Sequence, residues 1–180
     1  MTDNERLLRK MFECHRKNGE FIISWLKNDF INEKVITVPE GVTVIGDRFM
    51  FNSHYDTETE VMTVCNVEAV ILPEGVKEIS GHAFDGLSRL KKIYIPKTVE
   101  VIGDEAFNYC GGLTIYCEDK PRKGWIDKEP EMELREAQGR TVFYEEIRFH
   151  NNWNPLRLPV KTNVPREEFL KIIEEEYGNG

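Results

Sequence analysis

A twelve-residue frame occurs three times in this chain and constrains its fold more than any other feature. The copies are Val35-Ile36-Thr37-Val38-Pro39-Glu40-Gly41-Val42-Thr43-Val44-Ile45-Gly46, Ala69-Val70-Ile71-Leu72-Pro73-Glu74-Gly75-Val76-Lys77-Glu78-Ile79-Ser80 and Lys92-Ile93-Tyr94-Ile95-Pro96-Lys97-Thr98-Val99-Glu100-Val101-Ile102-Gly103. Each reads apolar-x-apolar-Pro-x-x-Val-x-x-Ile. Self-similarity at a fixed period means units that cannot bury their own apolar edges and must stack on one another. Pro73 and Pro96 lie 23 residues apart, whereas Pro39 and Pro73 lie 34 apart, so the first unit carries an 11-residue insertion. The insertion falls between Asp47 and Asn66, where Asn52–Glu60 is polar and reads as a protruding loop.

Two units continue alike after the isoleucine, as His82-Ala83-Phe84-Asp85-Gly86-Leu87-Ser88-Arg89-Leu90 and Glu105-Ala106-Phe107-Asn108-Tyr109-Cys110-Gly111-Gly112-Leu113. Phe84, Phe107, Ile79, Ile102, Leu90 and Leu113 then stack between neighbouring coils as one continuous core. Proline suits the end of each short strand, because it cannot donate to a ladder. The pattern resembles the BspA-like leucine-rich repeat family, whose coils read approximately Ile-Gly-x-x-Ala-Phe-x-x-Cys-x-x-Leu-x-x-Ile-x-Ile-Pro-x-x-Val. The resemblance covers about residues 34–125. Glu20-Phe21-Ile22-Ile23 with Glu33–Pro39 looks like the opening of such an array, and Leu113–Cys117 followed by Pro121 and Trp125 like its end. The departures are the insertion, Phe49-Met50 in place of Ala-Phe, Leu87 in place of Cys, and a second tryptophan, Trp153, delayed by 28 residues.

Helical spacing of Leu7, Leu8, Met11 and Phe12 predicts a helix over 3–17. A second is predicted over 165–177, opened by Pro165, apolar at Phe169, Ile172 and Ile173, and stopped at Gly178. Between Trp125 and Trp153, Met132, Leu134 and Ala137 suggest an inserted helix and Val142–Phe149 a strand. The expected fold class is thus α/β: a short leucine-rich-repeat solenoid with N- and C-terminal capping helices and a C-terminal helix-strand insertion. Its parts are an N-terminal capping helix (1–19), the repeats (20–125) and a C-terminal cap (126–180).

Composition narrows the class of partner. The formal net charge of −8 disfavours a phosphate backbone, so no direct nucleic-acid binding is expected. The acidic excess is spread along the chain rather than gathered in a tail. No apolar run approaches the roughly 20 residues of a membrane span, and Met1–Arg6 does not open a secretory signal. A cytoplasmic location is therefore expected, with Cys14, Cys65, Cys110 and Cys117 reduced. No cofactor or metal site is expected: Cys14-His15 and Cys110…Cys117 lack ligand spacing, and no phosphate loop or nucleophile frame appears.

Strand alternation supplies the candidate site. If Ile36/Val38, Val70/Leu72, Ile93/Ile95 and Ile115/Cys117 face inward, Thr37, Ile71, Tyr94 and Tyr116 face outward in register, flanked by Lys92 and Thr114. This ladder is a partner-binding stripe if open, and core if a terminal helix or the 126–150 insertion lies over it. The acidic insertion, with Asp56, Glu58 and Glu60, is the second candidate, suited to a basic partner.

The resemblance implies binding rather than chemistry, so the expected function is a protein-protein interaction module without catalytic activity, its oligomeric state open. One concrete version is a phage-encoded or effector-type inhibitor that blocks a host nuclease or defence complex. An alternative is an enzyme with its site in 126–160, using Glu145, Glu146 or His150; another is a structural role in an oligomer or particle.

Overall fold

The computed structural model describes residues 1–49, 53–56, 61–122, 125, 148–149 and 156–178. The elements run α1 (Asp3–Met11), β1 (Phe12–Lys17), β2 (Glu20–Leu26), a 3-10 turn (Asn28–Phe30), β3 (Val35–Thr37), β4 (Val44–Ile45), β5 (Ser53–Asp56), β6 (Val61–Val64) and β7 (Ala69–Ile71). They continue with β8 (Glu78–Ile79), β9 (Lys92–Ile95), β10 (Val101–Ile102), β11 (Thr114–Cys117), β12 (Arg148–Phe149), β13 (Leu156–Arg157), β14 (Val160–Lys161) and α2 (Arg166–Tyr177). The architecture is mixed α/β.

Each repeat contributes two short strands, one just before its proline and one at its Val-x-x-Ile end. Equivalent strands of successive repeats pair in parallel, giving a first sheet ordered β1-β2-β4-β8-β10 and a second ordered β14-β11-β9-β7-β3. Alternation puts one side of each sheet into a shared core. Ile23, Ile45, Ile79 and Ile102 are in register across the first sheet, as are Ile36, Val70, Ile93 and Ile115 across the second, and all are buried. Val38, Leu72, Ile95 and Cys117 join the same core, so the inward set matches the alternation expected from the sequence.

A spine of phenylalanines runs from Phe12, at the start of β1, through the turns of the successive repeats. Ring centroids are 5.1 Å apart for Phe12 and Phe49, 5.5 Å for Phe49 and Phe84, and 5.4 Å for Phe84 and Phe107. Burying each ring stabilises the fold by roughly 1.5–3 kcal/mol before pair geometry is counted. Phe49 fills the aromatic slot although the first turn reaches it one residue earlier than its successors do, four rather than five after the strand isoleucine. Close approach of β2 requires glycine at 46, where a Cβ would lie 2.8 Å from the Ile23 carbonyl oxygen. Beyond the last full coil, Trp125 is buried and its indole N–H donates to the Val99 carbonyl at 3.1 Å.

Two expectations need correcting, and a third is largely outside the described residues. The N-terminal helix ends at Met11, and Phe12–Lys17 forms a strand antiparallel to β2. The reason is the Asn18-Gly19 link, with φ of 52° and 85°, because a two-residue turn of this kind matches the twist of a hairpin. The polar insertion is not an irregular loop: β5 and β6 pair antiparallel from Ser53↔Val64 to Asp56↔Val61. Of the helix and strand expected between Trp125 and Trp153, only Arg148–Phe149 is described, paired antiparallel with Leu156–Arg157. The remainder lies outside the described residues.

The C-terminal helix forms where the sequence places it, with Pro165 at the N-cap and Gly178 at the C-cap. It lies on the second sheet. Phe169 and Ile173 are buried there with Val164, and Ile172 and Tyr177 pack alongside. Arg166 Nη1 donates to the Leu72 carbonyl at 2.8 Å, and Lys92 Nζ meets Glu176 Oε2 at 2.6 Å, pinning the two ends of the helix.

Candidate functional site

The outward ladder of the second sheet exists in register but is not a surface. Ile71, Tyr94 and Tyr116 are buried beneath α2, where the Phe169 ring lies 5.3 Å from Tyr94 and 4.9 Å from Tyr116. Of the two outcomes the alternation left open, the covered one holds for Ile71, Tyr94 and Tyr116, which are core rather than a binding stripe. The same apolar side chains that would anchor a partner are matched by the apolar face of the chain's own helix, and the intramolecular contact carries no loss of translational freedom. Thr37 at the edge strand stays exposed, while Lys92 and Thr114 are half-buried and Lys92 is engaged by Glu176. Of the acidic insertion, Asp56 closes β5 opposite Val61, and Glu58 and Glu60 lie outside the described residues.

The open ladder belongs to the first sheet. Ile22, Val44, Glu78 and Val101 stand in register on its outer side, one residue out of phase with the buried isoleucines. Val101 is 45% exposed, Ile22 and Glu78 are half-buried, and Val44 is buried. Beside them the β1–β2 hairpin raises a wall. His15, Lys17, Asn18, Glu20, Ile22, Ser24, Val44, Gly46, Asp47, Glu78 and Ser80 line a groove of about 420 Å³. Its lining combines two aliphatic side chains, Ile22 and Val44, with three carboxylates, Glu20, Asp47 and Glu78, against one ammonium, Lys17; Lys77 reaches Glu20 at 3.8 Å.

Trp25 directly follows Ser24 of this groove. It is the extra residue of a β-bulge, since Phe12 pairs with Leu26 and Glu13 with Ser24. Its φ is 34° and the side chain is 44% exposed. A bulge re-aims one side chain out of the pleat, and a bulky residue at positive φ is a strained conformation held by its surroundings. Here Leu26 N–H donates to the Phe49 carbonyl at 2.9 Å and Lys27 N–H to Met11 at 2.9 Å, fixing the chain just past the bulge. Val44, Glu78 and Val101 do not stand out as a face in the sequence, because β4, β8 and β10 are two residues long and show no alternation. The Asn18-Gly19 turn was the available signal for the hairpin wall.

Nucleophilic chemistry finds little support among the described residues. Burial pushes the thiols of Cys14, Cys65, Cys110 and Cys117 up, Cys110 to about 12, away from the reactive thiolate. The Cys110 thiol donates to the Phe84 carbonyl at 3.0 Å, a packing role. Glu74 and Glu118 form a carboxylate pair: burial and the neighbouring Glu118 raise Glu74. Burial also pushes Glu118 up, but the Lys97 backbone N–H, the hydrogen bond from Glu74 and the Lys97 ammonium outweigh it and hold Glu118 down. Lys97 Nζ sits 3.1 Å from Glu118, so the pair clamps two coils. Glu145, Glu146 and His150 lie outside the described residues.

The sequence model of the family described as "BspA type Leucine rich repeat region (6 copies)" matches residues 56–120. No curated protein matches the chain. Among solved structures, a leucine rich cell surface protein from Faecalibacterium prausnitzii A2-165 is 26% identical over 60% of this chain and 31% of its own, with a TM-score of 0.45. The pneumococcal vaccine antigen PcpA is 18% identical over 59% of this chain and 38% of its own, with a TM-score of 0.34. The chain thus matches only about a third of the length of either.

Proposed function

We propose that this protein, whose residues 56–120 match the model of BspA-type leucine-rich repeats, is a non-catalytic protein-interaction module that binds through the outer face of its first sheet. The observation that carries this reading is the outer face of the first sheet, where Val101 is exposed and Ile22 and Glu78 are half-buried in register, together with the exposed, bulge-mounted Trp25 on β2. A tryptophan and aliphatic side chains on a rigid sheet are the residue types that dominate binding energy at protein interfaces, and carboxylates at the rim select orientation. In this reading the coils are a short solenoid whose second sheet is closed by α2, leaving the first sheet for a partner with an apolar centre and basic edges.

The test is affinity capture from native-host lysate with three baits: the unaltered chain, a Trp25→Ala/Val101→Glu variant, and Thr37→Glu as a control on the other sheet. Circular dichroism confirms that all three are folded. Loss of the captured partner in the double variant alone supports the proposal. Equal recovery by all three baits, or loss confined to Thr37→Glu, overturns it.

A further inference from the structure

We infer that His82, Asp85 and Glu105 form a site for a first-row divalent transition-metal ion that staples two successive coils together. The repeat brings the ligands together. His82 and Glu105 hold the same position in consecutive coils, 23 residues apart, and both have φ of 55°. The turns that carry them are locked side by side by His82 N–H to the Asp104 carbonyl at 3.0 Å, Phe84 N–H to Ala106 at 2.8 Å and Gly86 N–H to Asn108 at 2.8 Å. Asp85 follows within the same turn as His82. His82 Nδ1 lies 3.1 Å from Asp85 Oδ2 and 3.4 Å from Glu105 Oε2, and the three ligand atoms all fall within 4.8 Å of one another.

These separations suit one shared ion. Ligands about 2.1 Å from a tetrahedral centre stand roughly 3.4 Å apart. The two distances from the imidazole nitrogen are already in that range, and the two carboxylates lie within 4.8 Å of each other. The side chains are 47%, 31% and 21% exposed, so a fourth position opens to water, as in three-ligand zinc sites. One imidazole nitrogen with two carboxylates fits zinc and its neighbours, whereas calcium and magnesium take oxygen ligands alone. The equivalent slot of the preceding coil holds Arg48, with φ of 51°, so the ligand set ends at two coils. Without an ion, two carboxylates converge on one imidazole that only a proton can charge. With one, both negative charges are compensated and the coils are crosslinked.

The experiment is calorimetric titration of Zn2+ into the intact, chelator-treated chain at neutral pH, with thermal melts run alongside. One ion should bind per chain and raise the melting temperature, as any ligand specific to the folded state must. His82→Ala and Glu105→Gln should each weaken binding by at least about tenfold, the loss that follows even when a residue merely supporting a ligand is removed. Cys14→Ser, which disables the Cys14-His15 pair, should leave binding intact, and Mg2+ or Ca2+ should give no melting shift. The metal-free melts of the variants report that they are folded. The inference is overturned if the intact chain shows no saturable binding, if both ligand variants bind as the unaltered chain does, or if Cys14→Ser abolishes the site.

Discussion

Tyr94→Phe should make this protein more stable. The Tyr94 side chain is fully buried, and its hydroxyl has no protein hydrogen-bond partner among the described residues. Burial, aided by Glu118 and Glu74, holds its ionisation above the ordinary tyrosine range, so the group stays neutral and gains nothing from charge. A buried hydroxyl left unpaired costs about 1–3 kcal/mol. Phenylalanine removes that cost and keeps the ring where it is, 5.3 Å from Phe169 and 5.8 Å from the Arg166 guanidinium. The net gain should be about 1–2 kcal/mol, or roughly 2–8 °C in melting temperature for a chain of this size. Tyr116→Phe is the control: its ring is also under α2, but its hydroxyl is not orphaned, so its effect should stay within about 0.5 kcal/mol. Urea denaturation followed by circular dichroism, with both variants in parallel, measures the difference. A Tyr94→Phe protein destabilised by about 1 kcal/mol or more would refute the reasoning, since the hydroxyl must then be hydrogen-bonded in solution.

Two further outcomes follow from the same packing and from the inter-coil charges. Phe169→Ala should cost about 3–5 kcal/mol, the usual loss for truncating a buried ring, and should speed hydrogen exchange along α2; unchanged exchange there would show that the helix does not cover the second sheet. Glu68 is gripped by Lys34 at 2.5 Å and Lys91 at 2.6 Å from the coils on either side, which hold its carboxyl down to about 2 from an ordinary 4.5. A depressed folded-state pKa means the contribution is present above the unfolded value and is lost as pH falls from about 5 towards 2. Acid titration of Glu68→Gln should therefore show a shallower decline over that window, and parallel curves for the two proteins would count against the clamp.

The repeat, its core and its phase were legible in the sequence because they are local and periodic. Ile36, Val70, Ile93 and Ile115 are apolar for one reason, and a frame that recurs announces it. Phe84 and Phe107 belong to the same class, and so does α2, whose Pro165, Phe169/Ile173 stripe and Gly178 are signals carried within 14 residues. What the sequence determined is which side chains face into each coil.

Which surface remains open was decided by tertiary structure. Ile71, Tyr94 and Tyr116 have the composition of a binding stripe, and nothing within their own coils distinguishes a surface from a buried face. Only the position of Phe169, more than fifty residues after Tyr116, makes them core. The open face arises on strands two residues long, below the length at which alternation can be read, and is extended by a hairpin whose Asn18-Gly19 turn cut short the helical spacing of residues 3–17. The ligand set His82, Asp85 and Glu105 eluded the sequence in the same way: its members come from two coils, and no spacing motif joins residues that only stacking brings within reach. Local periodicity specifies the unit, whereas docking between distant segments specifies what the assembled units leave exposed.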